Sequence, residues 1–206
     1  MSLMVGSLLT FPVAIARSND PAYYRVRKGD NLTKIAANFG VTISDLRQGN
    51  NLSGDLIRVG QKLKITRPFR RTQAREIRWR SPLSQAANVL RGFGPYKDAN
   101  GAVIPRNGVD IAVTTGSSVR CSANGVIRYI GLQDDYGMVM IIEHGAGYST
   151  VMAPFQTASI AWRVDDAVLR GDILGQTGDP PQGGASYLHL ELRQKGKAIK
   201  PDRLLP

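Results

Sequence analysis

From Trp79 onward the chain is written almost entirely in short apolar runs broken by glycine, aspartate and asparagine: "VLRGFGP", "NGVDIAV", "SSVRCSANGVIRYIG", "GMVMIIEHGAGYSTVMAP", the turn-rich "LRGDILGQTGDPPQGG" and finally "YLHLELR". Few helical patterns interrupt them. Runs of this length, separated by turn residues at regular spacing, point to a curled antiparallel β-sheet. The last run is the most informative. In "SYLHLELR", residues 186–193, strict alternation places Tyr187, His189 and Glu191 on one face of a strand and Leu188, Leu190 and Leu192 on the other. The leucine face can be buried in a core while the opposite face carries chemistry.

Ahead of this region, residues 22–65 form a unit with different grammar, "AYYRVRKGDNLTKIAANFGVTISDLRQGNNLSGDLIRVGQKLKI". A strand "YYRVR" enters the turn "KGDN", where Asp30 is placed to cap a helix whose Leu32, Ile35, Ala36 and Phe39 share one face. Gly40 stops that helix, a second begins near Thr42 or Ser44, and "LIRVGQKLKI" returns as a strand. The order is strand, helix, helix, strand. The opening from Val26 to Leu32 and the closing "N-x-L" and "I-x-x-GQ-x-L-x-I" resemble the LysM family, with Asn31 where that family usually has Thr or Ser. The resemblance implies binding to N-acetylglucosamine-containing glycan, and thus to peptidoglycan. It puts the sugar groove between the loop Gly29, Asp30, Asn31, Leu32 and the turn Asn50, Asn51, Leu52 running to Ile57. Exposed backbone amides with a few apolar walls suit N-acetyl groups and sugar faces.

Lys and Arg outnumber Asp and Glu by 27 to 16, for a net charge of +11. The excess favours polyanionic partners such as an acidic wall polymer. It is concentrated in "TRPFRRTQAREIRWR", residues 66–80, which reads as an extended basic linker that becomes the first strand of the next domain near Ile77 or Trp79. Phe69 and Trp79 are too few and too irregular to form a base-stacking platform, so nucleic acid is not an expected partner. The opening "MSLMVGSLLTFPVAIARS" has the apolar run and A-x-A ending of a signal peptide cleaved after Ala16, and it is too short for a comfortable membrane span. No cysteine follows the run, which speaks against a lipid anchor at that junction. The single cysteine, Cys121, rules out an intramolecular disulfide and a cysteine-rich metal site.

The segments "RGFGP", "GVDI", "ANGVI", "YGMVMIIEHGAGY", "VLRGDILGQTG" and "LHLELR" resemble the LytM or lysostaphin-type zinc endopeptidases, which cut peptide crosslinks in peptidoglycan. The expected fold is therefore mainly β, a C-terminal LytM-like antiparallel β-sheet domain over 79–206 preceded by a small βααβ LysM domain over 22–66, with a linker over 67–78 and a leader over 1–16. In that family the first zinc ligand is the His of an H-x-G-x-D motif, here Arg106-Asn107-Gly108-Val109-Asp110. A guanidinium has no free lone pair for a metal. Asp110 and His189 keep the other two ligand positions, while the family's catalytic histidines fall at Tyr187 and Pro154. His144 matches a position where the family carries a non-ligand His.

The resemblance thus implies a domain without catalytic residues, bound metal or cofactor. Arg106 is expected to pair with Asp110 in place of the metal, and His189 to be a neutral imidazole in the old cleft. A LysM module followed by such a domain resembles the NlpD-like murein hydrolase activators. That implies a periplasmic, non-enzymatic protein with two partners, peptidoglycan glycan strands and an N-acetylmuramoyl-L-alanine amidase, acting in daughter-cell separation. The docking cleft would be Arg106, Asp110, Pro154, Tyr187 and His189. A zinc-dependent endopeptidase and a purely wall-binding structural protein are the alternatives.

Overall fold

The computed structural model describes residues 20–69, 77–85, 87–97 and 100–205. The expected leader lies outside them, as do Arg70, Arg71, Arg75 and Glu76 of the basic segment.

In the first unit, β1 (Ala22–Arg25) pairs antiparallel with β2 (Lys62–Ile65), Ala22 opposite Ile65 and Arg25 opposite Lys62. Between them lie α1 (Leu32–Phe39) and α2 (Ile43–Gly49). The i, i+3, i+4, i+7 spacing of Leu32, Ile35, Ala36 and Phe39 turns all four inward, against Tyr24, Leu46, Leu63 and Ile65. Gly40 ends α1 in the left-handed region at φ 60°, and Thr42 opens α2 through a reciprocal capping box with Asp45. The expected cap of α1 needs correction. Asn31, not Asp30, is the N-cap: its extended backbone aims Oδ1 at the Lys34 N–H, which it accepts at 2.8 Å. Asp30 sits one residue too early and closes the preceding turn, accepting the Arg27 N–H at 2.7 Å and the Tyr24 hydroxyl at 2.8 Å.

The second unit is built on one antiparallel sheet. Its long strands are β8 (Gly125–Gln133), β9 (Gly137–Gly145), β10 (Tyr148–Phe155) and β13 (Tyr187–Gln194), joined in the order β8, β9, β10, β13. β11 (Ala167–Val168) flanks β8 at one end, and β6 (Val109–Ala112) then β3 (Val89–Arg91) follow β13 at the other. Off this path, β4 (Tyr96–Lys97) pairs with β5 (Val103–Ile104), β7 (Ser118–Arg120) with β12 (Ile173–Gln176), and β14 (Lys197–Ile199) with β13. The alternation of β13 is realised as read: Leu188, Leu190 and Leu192 are fully buried with Ile111, Ile127, Ile142 and Met152. Cys121 lies in the same core, where burial pushes its thiol far above the usual range.

Trp79 does not begin a strand. Residues 77–81 have no regular structure, and the Trp79 indole stacks edge-on against His144 and Tyr148, with ring centroids 5.1 and 5.7 Å apart. Its size draws it onto the core, while the backbone stays off the ladder. Nor is the connection a simple tether at its start, since Phe69 is buried in the first unit's core against Phe39. That core also takes in Val126 of β8 and Ala167 of β11, so the two units share apolar surface.

Candidate functional site

β13 and β6 are neighbours, and their register sets His189 directly opposite Asp110. The close approach requires a glycine at 108, because a Cβ there would stand 2.6 Å from the Leu190 carbonyl oxygen, 2.8 Å from His189 Cε1 and 2.9 Å from Glu191 Cγ. Gly108→Ala is therefore expected to force the strand apart at the site and to destabilise the fold by about 1–3 kcal/mol in a urea titration. A loss below a few tenths would mean that the strands separate freely there.

Five charged side chains form a continuous chain through this part of the sheet. His189 Nδ1 lies 2.6 Å from Asp110 Oδ1, and its Nε2 lies 3.3 Å from Glu191 Oε1. The second Glu191 oxygen accepts Arg193 Nε–H at 2.6 Å, and the second Asp110 oxygen accepts Arg91 Nη1–H at 3.3 Å. His189, Asp110 and Glu191 are 4%, 5% and 0% exposed, so these groups have each other rather than water as partners. An ionised carboxylate only accepts, so a ring held between two of them carries a proton on each nitrogen.

The electrostatics agree. Burial alone would pull the His189 imidazole down, but the Asp110 and Glu191 hydrogen bonds, reinforced by the two negative charges, push it up to about 9. Burial opposes charge on Asp110 as well, and the hydrogen bond and charge of His189, then Arg91, outweigh it and hold the carboxyl below its ordinary value. The same balance holds Glu191 low, through His189 first and Arg193 next.

Two expectations are thereby corrected. His189 is an imidazolium, not a neutral ring, because it faces a carboxylate on both sides. Arg91, not Arg106, pairs with Asp110: Arg91 stands opposite Asp110 across the β3–β6 ladder, whereas the Arg106 guanidinium lies 4.0 Å over the ring of Tyr96. The donor set does not fit the three-ligand catalytic zinc that the resemblance implies. His189 Nδ1 and Asp110 Oδ1 are joined by a charge-assisted hydrogen bond of 2.6 Å. A third donor is lacking at position 106, where an arginine faces an aromatic ring.

The other cleft residues gather nearby with unequal roles. Tyr187 is half-buried, with Arg91 5.6 Å over its ring, and burial followed by the charge of Asp110 raises its hydroxyl. Pro154 is a buried member of β10. Tyr136 completes the wall, its ring 4.8 Å from His189, an arrangement in which an aromatic face attracts a cation. Arg91, Tyr136 and Arg193 were not anticipated. Continuing the period of two along β13 would have reached Arg193, but no local signal brings Arg91 or Tyr136 to this place. His144 stands apart, its ring nitrogens bound to the Asn124 carbonyl oxygen and the Thr150 hydroxyl, and burial pulls it down to about 4.

In the first unit a shallow depression runs along residues 51–56 with Arg58 and Gln61, so Asn51 and Leu52 line it. Leu56 and Val59 beside it are 80% and 70% exposed. Ile57 packs against the unit's core, and Leu32 is only 2% exposed, leaving it little surface for a ligand. Asn50 is consumed by the scaffold, its amide donating to the Leu46 and Lys64 carbonyls and accepting from Lys64 N–H. Gly29, Asp30 and Asn31 form the turn into α1 and lie outside the lining of this depression.

Comparison with known proteins matches both units. Residues 24–66 match the LysM domain and residues 105–201 match peptidase family M23. The whole chain is similar to the uncharacterized lipoprotein YgeR of Escherichia coli (strain K12), 26% identical and covering 91% of that protein. Over 62% of its length it is 31% identical to murein hydrolase activator NlpD of Salmonella typhimurium, of which it spans 31%. Among solved structures, a zinc containing peptidase from Vibrio cholerae shares the fold over 61% of this chain and 40% of that one, at TM-score 0.56 and 24% identity.

Proposed function

The chain carries a LysM domain followed by a domain of peptidase family M23, and from that premise we propose that it is a non-enzymatic, peptidoglycan-binding activator of cell-wall amidases. The LysM domain holds glycan strands, and the M23 domain presents its cleft to an N-acetylmuramoyl-L-alanine amidase during daughter-cell separation. Both partners lie in the periplasm of a Gram-negative cell. Among the described residues no helix is long and apolar enough to cross a membrane.

The observation that supports this reading is the ion-pair chain through Asp110, His189 and Glu191, of which Asp110 and His189 hold the two ligand positions that the resemblance of the sequence implies. A hydrolase of this family needs a base or a metal-bound water to attack the peptide. Here both ring nitrogens of His189 are committed, and the resemblance of the sequence implies that Tyr187 and Pro154 take the positions of the family's two catalytic histidines. Similarity to a murein hydrolase activator points the same way. Beside the ion-pair chain stand two aromatic side chains, Tyr136 and Tyr187, and two cations, Arg91 and Arg193, a combination suited to a partner segment that has apolar and acidic side chains.

Dye-labelled sacculi test the proposal. The protein alone, with zinc, is expected to release no dye, and mixed with a periplasmic amidase from the same organism it raises release severalfold. Tyr187→Ala is expected to abolish the increase while sacculus binding persists. Release by the protein alone would make it an endopeptidase. Wall binding without any effect on an amidase would leave a structural wall-binding protein.

A further inference from the structure

Domains joined by a short connection ordinarily move relative to each other unless their interface is extensive. The interface here is built from four kinds of contact. The Tyr23 N–H of β1 donates to the Asp165 carbonyl oxygen at 2.8 Å, setting the LysM strand alongside β11, and Tyr23 forms a parallel bridge with Asp166. The Arg27 guanidinium grips Asp172 with two bonds of 2.7 and 2.6 Å, and the Leu169 N–H fixes that carboxylate in place. Val126 and Ala167, 0% and 3% exposed, complete the LysM core from the sheet side. Asn124 of the sheet unit donates to Asn38 of α1.

From these contacts we infer that the two domains form one rigid body, in which a glycan-bound LysM domain holds the M23 cleft at a fixed position and angle over the wall. The placement supports this function. LysM docks at the β11 end of the sheet, whereas His189 and Asp110 lie on β13 and β6 toward the other end, separated by β8, β9 and β10. Docking therefore covers neither the cleft nor the exposed loop carrying Leu56 and Val59. A bidentate Arg–carboxylate pair fixes orientation as well as distance, which a lone apolar contact does not. A flexible tether would spread the cleft over a volume set by linker length, while a rigid joint concentrates it at one place relative to the glycan. The consequence for activation rests on the function proposed above; the rigidity itself does not.

Backbone 15N relaxation on the whole chain tests the inference. The amides of LysM and of the M23 domain are expected to report a single tumbling time. Two tumbling times, with LysM severalfold faster, would overturn it. The variant Ala167→Lys with Asp172→Lys sets a cation against Arg27 and puts a charge into the shared apolar contact, while the LysM sequence itself is unchanged. It is expected to free LysM to tumble faster, keep sacculus binding, and lose most of the amidase activation. Undiminished activation by a variant whose domains tumble separately would refute the positioning role. If the unaltered protein fails to activate any amidase, the proposed function falls, while the tumbling times still decide the rigidity.

Discussion

Replacing Glu191 by glutamine is expected to lower the unfolding free energy by about 3–5 kcal/mol, the cost of removing one partner from a buried ion pair. Glu191 is fully buried, and each of its oxygens receives a different cation, His189 on one side and Arg193 on the other. Glutamine keeps the shape but offers one acceptor and one donor, so either the imidazolium or the guanidinium is left facing an N–H. Urea titration with an unchanged slope reads the loss directly. A change under about 0.5 kcal/mol would mean that the charges at this site are solvated, and the ion-pair chain would not be the structural element described.

The second large effect is on the pH dependence of stability. His189 is raised from 6.5 to about 9 in the folded protein, so its contribution is fully present below pH 6.5 and is lost as pH rises through 9. The loss amounts to about 3 kcal/mol. His144 works in the opposite sense. Burial lowers it from 6.5 to about 4, so its contribution is present above pH 6.5 and is lost as pH falls toward 4. Stability is expected to peak near pH 6.5, with an alkaline limb belonging to His189 and an acid limb to which His144 contributes. In the Glu191→Gln variant the alkaline limb shrinks, because one of the two carboxylates that raise His189 is gone. Urea midpoints measured from pH 4 to 10 separate the limbs. Constant stability between pH 6.5 and 9 would show that His189 is neutral.

The parts of this molecule that were legible in the sequence are those governed by local periodicity. The alternation of β13 told which residues are buried, and the spacing of Leu32, Ile35, Ala36 and Phe39 told which face of α1 is inward. Cross-strand partners were not legible. Arg106 is four residues from Asp110 in sequence, yet it is Arg91 on a separate strand that reaches the carboxylate, because register and an irregularity in the β3–β6 ladder decide who stands opposite. The protonation of His189 was missed for the same reason. Glu191 was placed on the correct face, but that both its strand neighbour and Asp110 flank the imidazole depends on the pairing of β13 with β6. Nor did anything in the apolar pattern of Val126 or Ala167 say which of two cores they complete.

The proposed function depends on a carboxylate–imidazolium–carboxylate arrangement of Asp110, His189 and Glu191. The 15N chemical shifts of the His189 ring, followed at pH 7.5 during a zinc titration, test it most directly. Both nitrogens are expected at imidazolium values, unmoved by stoichiometric zinc. One nitrogen at the value of an unprotonated ring, shifting as zinc is added, would show a lone pair available to a metal and would contradict the account.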